Sequence, residues 1–127
     1  MADEILHWHI AGVLSETGVV DTDVHGDAYR LDKDYKVLDT WLRVKTAPQG
    51  KGGLGIQIDI NDDGTSIYGE DKEPVLPDNT GETTCDTFSS KNLVLRKESI
   101  ITLDVDRVGE EYSGKDLVVE LYLEEAD

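Results

Sequence analysis

Three isoleucines at every other position, Ile56, Ile58 and Ile60, run directly into the acidic turn Asn61-Asp62-Asp63-Gly64, and this pair of features most constrains the fold. A two-residue period buries one face of a strand and leaves Gln57 and Asp59 on the other. Asn and Asp bond back to their own backbone, and Gly takes positive φ, so the turn closes a hairpin. Thr65-Ser66-Ile67-Tyr68 then resumes an extended path with β-prone residues.

The same period recurs along the chain. In Ile5 to Leu14, Leu6, Trp8 and Ile10 share one face, while His7 and His9 share the other. Leu38, Thr40, Leu42 and Val44 alternate with Asp39, Trp41, Arg43 and Lys45 until Pro48 ends the strand and Gln49-Gly50-Lys51-Gly52-Gly53 forms a loop. Later come Leu93 to Arg96, then Ile101, Leu103 and Val105, then Leu117, Val119, Leu121 and Leu123 opposite Val118, Glu120 and Tyr122. Ser15 to Lys36 is broken up by Gly18, Gly26 and five Asp residues, and reads as loops with one or two short strands. Gly69 to Asn92, punctuated by Pro74, Pro77 and Gly81, reads either as a crossover between sheets or as a functional loop. The pattern predicts an all-β fold, a β-sandwich or jelly roll of about seven to eight antiparallel strands. It forms one domain over residues 1–127, with Trp8, Ile56, Ile58, Leu103 and Leu121 buried.

Charge narrows the partners. Against 28 acidic residues stand 12 basic ones, a net charge of −16, and a field of that sign repels nucleic acid and anionic membranes. No leader pattern is read near Met1, and no apolar run approaches the ~20 residues of a membrane span. Cys85, the single cysteine, cannot form an internal disulfide and sits among polar residues, so it is expected to be exposed and open to pairing between subunits.

The sharpest candidate for chemistry is the turn. Asp59, Asn61 and Asp63, with Gly64 at the sixth position and Glu70 at the twelfth, have the oxygen-ligand spacing of a calcium loop. Strands flank it where such a loop has helices, and Ser66 occupies a position that is usually aliphatic. A structural hairpin is therefore expected, with no bound metal and no cofactor. His7 and His9 could reach one metal with His25 as a distant third ligand, but polar outer-face positions are the simpler reading. Ser66 is not in a nucleophile elbow, no carboxylate pair stands apart, and Gly50-Lys51-Gly52-Gly53 lacks Walker spacing, so no enzyme activity is expected. Trp41 shares its face with Arg43 and Lys45, which suits a cation–π contact or a contact surface.

Four segments occur in an order that resembles a group of tailed-bacteriophage structural proteins and domains: T-A-P-Q-G at 46–50, I-D-I-N-D-D-G-T-S-I at 58–67, D-V-D-R-V-G at 104–109 and G-K-D-L-V-V at 114–119. The group is described as head-decoration, head-fibre or tail-associated, and the resemblance covers roughly 29–123. It implies a non-enzymatic β-sandwich made in the host cytoplasm and assembled on a virion, commonly as a homo-oligomer. A capsid decoration protein on the outer head surface, bound to the major capsid protein and favoured as a trimer, is the leading expectation. The alternative is a tail-associated receptor- or glycan-binding module, with Trp41, Tyr68 or Tyr112 stacking on sugar rings. Residues 1–14, outside the matched region, or the stretch 69–92, would dock on the shell. The chain differs from the group in its acidity and in Glu70-Asp71-Lys72-Glu73.

Overall fold

The computed structural model describes residues 2–14, 18–19 and 28–126, and every regular element in it is a strand. These are β1 (Glu4–Val13), β2 (Gly18–Val19), β3 (Tyr29–Arg30), β4 (Tyr35–Thr46), β5 (Ile56–Asp62), β6 (Thr65–Ser66), β7 (Val75–Leu76), β8 (Glu82–Cys85), β9 (Val94–Leu95), β10 (Ile100–Arg107) and β11 (Lys115–Glu125). Among the described residues no helix is long and apolar enough to cross a membrane.

Two antiparallel sheets result. One runs β1-β11-β4-β8, with β9 also on β4; the other runs β2-β10-β5-β6, with β3 also on β10 and β7 also on β5. Since β2 and β3, β6 and β7, and β8 and β9 each share one side of a common partner, they count as three strands. Eight strands then fall in the orders 1-8-3-6 and 2-7-4-5, which is jelly-roll connectivity. The expected all-β sandwich is the observed one. The stretch 69–92 is the crossover, with β7 in one sheet and β8 in the other.

The core lies between the inner faces. Leu117, Val119, Leu121 and Leu123 of β11 and Leu42 of β4 meet Ile56, Ile58 and Ile60 of β5 and Ile101, Leu103 and Val105 of β10. All five residues expected to be buried are so, Trp8 to 1% exposure. The hairpin also forms as expected: Asp62 pairs Thr65 around Asp63 (φ 48°) and Gly64 (φ 88°). Two consecutive positive φ values make a type I′ turn, whose twist matches the strands it joins.

Three expectations change. The alternation in β4 slips at Leu38, because Tyr122 pairs Asp39 while the next residue, Leu123, pairs Val37. This bulge turns Val37 inward and leaves Leu38 only half-buried. Tyr68 is completely buried, its hydroxyl 2.8 Å from that of Thr40 and its ring stacked on Phe88, so it cannot stack on a sugar. Cys85 is half-buried and packed against the core, because its pairing with Thr40 puts it on the inner face. Residues 4–13 form the expected first strand, β1, which pairs along β11 and seats Leu6 and Trp8 in the core. Its free edge is partly closed: the Tyr29 hydroxyl donates to the His7 carbonyl at 2.5 Å and accepts from the His7 N–H at 3.3 Å.

Segments far apart in sequence join at one end of the sandwich. The Gln49 and Tyr112 backbones exchange hydrogen bonds of 2.9 and 3.1 Å, and Gly109 N–H donates to the Ser113 carbonyl at 3.2 Å. A Cβ on Gly109 would lie 2.1 Å from the Tyr112 oxygen and 2.9 Å from the Gln49 nitrogen, so only glycine fits. Gly109→Ala is therefore expected to lower stability by about 2 kcal/mol or more. Gly52→Ala, whose added Cβ would meet nothing closer than 3.6 Å, is expected to stay within about 0.5 kcal/mol in the same urea titration.

Candidate functional site

The outer face of each sheet carries a cluster of polar and aromatic side chains. On the β10-β5 sheet, antiparallel register puts Asp104 directly opposite Asp59, with Asn61 two residues along β5. Asn61 Nδ2 donates to Asp104 Oδ2 at 2.9 Å and Ser66 Oγ donates to Asp59 Oδ1 at 2.6 Å. Asp104 Oδ1 is buried without a hydrogen-bond partner. Burial is the main cause that raises the Asp59 pKa to about 6; the Ser66 bond opposes it, and the charges of Glu73, Asp104 and Asp106 add to it. Burial likewise raises Asp104 against the Asn61 bond, and raises Asp106 with help from Asp104 and Glu73.

Three of the four candidate calcium ligands hydrogen-bond to other groups of the protein. Asp59 and Asn61 hold the partners just named, Asp63 Oδ1 accepts from the Ile100 N–H at 2.9 Å, and Glu70 is exposed. Among the described residues no three His, Cys, Asp or Glu side chains converge on a point where a cation could sit. His7 and His9 lie exposed on the outer face of β1, opposite Glu120 and Val118, and His25 lies outside the described residues. The loop 50–53 is an exposed tip with no helix after it.

The other outer face holds the candidate binding surface. β4 presents Asp39, Trp41 and Arg43 in succession, each two residues from the last. The Arg43 guanidinium lies 5.4 Å from the Trp41 ring centroid, the cation–π contact that their shared face suggests. Trp41 pairs with Thr84 of β8 on one side and Glu120 of β11 on the other, while Asp39 pairs with Tyr122. Asp39, Trp41, Thr84 and Tyr122 together line an open depression of about 390 Å3. Asp39 lines it and Arg43 does not. Tyr122 Oη donates to Glu120 Oε1 at 2.8 Å, which fixes the ring and, with burial, raises the phenol pKa. Asp39 Oδ1 accepts from the Thr40 N–H at 2.8 Å. A second depression of about 490 Å3 is lined by His9, Arg43, Lys45, Asp116 and Val118. Both depressions are lined by polar and charged side chains able to contact a ligand.

Sequence reasoning singled out Trp41 but missed Asp39, Thr84 and Tyr122 as its companions. Tyr122 was legible as an outer-face residue of its strand. Its place beside Asp39 depends on the register between strands some eighty residues apart, and no local signal carries that. Tyr112 is half-buried at the Gln49 junction, away from this face.

The raised Asp59 pKa gives stability a pH dependence with a definite sign. The folded-state value of about 6 lies above the ordinary 3.8, so the folded chain holds this proton more tightly than the unfolded one. That stabilisation is complete below pH 3.8 and is lost as pH rises through about 6. Asp59→Asn still accepts from Ser66 and is expected to raise stability at pH 7.5 by about 1–2 kcal/mol, less than the full shift implies because the carboxylate keeps some solvent contact. Urea titrations of both proteins from about pH 4 to 8 check this, the difference shrinking toward the acid end.

The chain matches no family model, no curated protein and no solved structure.

Proposed function

We propose that this chain is a non-enzymatic structural protein of a tailed-bacteriophage virion, bound as a homo-oligomer to the outer surface of the head through the major capsid protein. The observation that carries the reading is where the four resembling segments fall. T-A-P-Q-G ends β4 and supplies Gln49 to the end junction, and D-V-D-R-V-G supplies Gly109 to the same junction. I-D-I-N-D-D-G-T-S-I is the β5-β6 hairpin, and G-K-D-L-V-V opens β11 at Gly114. All four therefore specify turns and strand ends of one jelly roll, the part of a sequence that a shared architecture would constrain. Jelly rolls also serve in lectins and cupins, so the architecture narrows the class by analogy alone.

One feature of the surface suits assembly. β1 is a ten-residue edge strand whose exposed apolar side chains include Ile5 (44%) and Val13 (62%), open to a neighbouring copy or to a shell. A closed ring, with a trimer favoured, multiplies weak contacts with a symmetric lattice. Copies of charge −16 repel one another, so association is expected to strengthen as salt shortens the Debye length from ~30 Å at 0.01 M to ~8 Å at 0.15 M. The tail-associated, glycan-binding alternative is favoured by a single observation, the depression beside Trp41.

Cosedimentation with undecorated capsids, alongside light scattering across that salt range, tests the proposal. Saturable capsid binding with a mass that grows with salt is expected. A strictly monomeric mass at high concentration together with no capsid binding overturns it, and a monomer that still binds removes only the trimer.

A further inference from the structure

The depression between Trp41 and Tyr122 has a chemistry that points to a definite class of ligand. We propose that it binds a pyranose ring of a neutral glycan, stacked on the indole face that Arg43 leaves open, with Asp39 and Thr84 taking its hydroxyl groups. A pyranose has one face of weakly positive C–H groups, which suits the negative face of an aromatic ring, and a rim of hydroxyls that need hydrogen-bond partners. The site offers both. Trp41 and Tyr122 contribute aromatic surface, Asp39 a carboxylate acceptor and Thr84 a hydroxyl that donates or accepts. The volume, about 390 Å3, falls within the roughly 300–1,000 Å3 of small-molecule sites, and its open top admits a chain of sugars.

The ring positions are set before a ligand arrives. Arg43 lies on Trp41 from one side and Glu120 holds the Tyr122 hydroxyl at 2.8 Å, so little side-chain freedom is left to lose on binding. Other ligand classes fit less well. An anion would meet Asp39 inside the site, Glu120 beside it and a protein of charge −16 around it. A cation on the open indole face would lie across the ring from Arg43, whose positive charge already draws on the same π density. A purely apolar group would displace water from the Asp39 carboxylate and the Thr84 hydroxyl without replacing its hydrogen bonds. This inference does not depend on where on a particle the protein sits.

The two tryptophans make the test direct, because Trp8 is buried in the core and serves as an internal reference for Trp41. Full-length protein is titrated with maltotriose, cellotriose and N,N′,N″-triacetylchitotriose, and separately with choline chloride, while the two indole N–H resonances are followed by NMR. At least one trisaccharide is expected to move the Trp41 signal saturably, with Kd near or below ~1 mM, and to leave Trp8 in place. Trp41→Ala is expected to abolish binding, Trp41→Phe to keep it within about tenfold, and Thr84→Ala to weaken it severalfold. No Trp41 shift with any of the three at tens of millimolar overturns the proposal. So does unchanged binding by a folded Trp41→Ala protein, or choline binding tighter than every sugar. If Trp41→Ala does not fold, the wild-type titration and the Thr84→Ala comparison decide the matter.

Discussion

The pairing of β11 with β4 on one side and β1 on the other is the interaction on which the rest of the molecule depends. β11 is central in its sheet, and its inner residues Leu117, Val119, Leu121 and Leu123 are all fully buried against the opposite sheet. Removing one neighbour would expose both a row of backbone groups and the apolar face behind it. The same pairing sets the outside. Tyr122 stands beside Asp39, and Glu120 beside Trp41, in the same unbroken register that pairs Leu121 with Thr40, and the ladder slips only beyond them, at Leu38. One register thus packs the core and assembles the depression.

The opposite sheet shows what a strongly acidic chain must accommodate. Asp59 and Asp104 face each other because the isoleucines of β5 and the apolar residues of β10 must both point inward, which forces the intervening carboxylates onto one outer face. Asn61 and Ser66 each give one hydrogen bond to this pair. Those bonds favour the ionised forms, yet burial outweighs them in both residues, so the carboxylates titrate high.

Positions that the fold demands and positions that it leaves free divide between different parts of the surface. The end junction of Gln49, Gly109 and Tyr112 is held by backbone hydrogen bonds and by an approach that excludes a Cβ, and these are demands of the fold. The Trp41 face makes no such demand, since its side chains point away from the core and their identities are free to serve a ligand. The segments that resemble phage structural proteins belong to the first kind, the depression to the second.

From the sequence alone came the strands, their inward residues and the hairpin turn, because a two-residue period and the conformational tolerance of Asp63-Gly64 act within a few residues. Trp41 and Arg43 were legible as neighbours for the same reason, being two apart on one strand. Tertiary structure alone decided that Tyr68 is buried against Thr40, that Cys85 turns inward, that Val37 replaces Leu38 in the core, and that Asp39, Thr84 and Tyr122 gather around Trp41. Each of those outcomes depends on which strands become neighbours and in what register. Register is a property of pairs of segments far apart in the chain, and a single bulge changes it by one residue, moving a side chain from solvent to core.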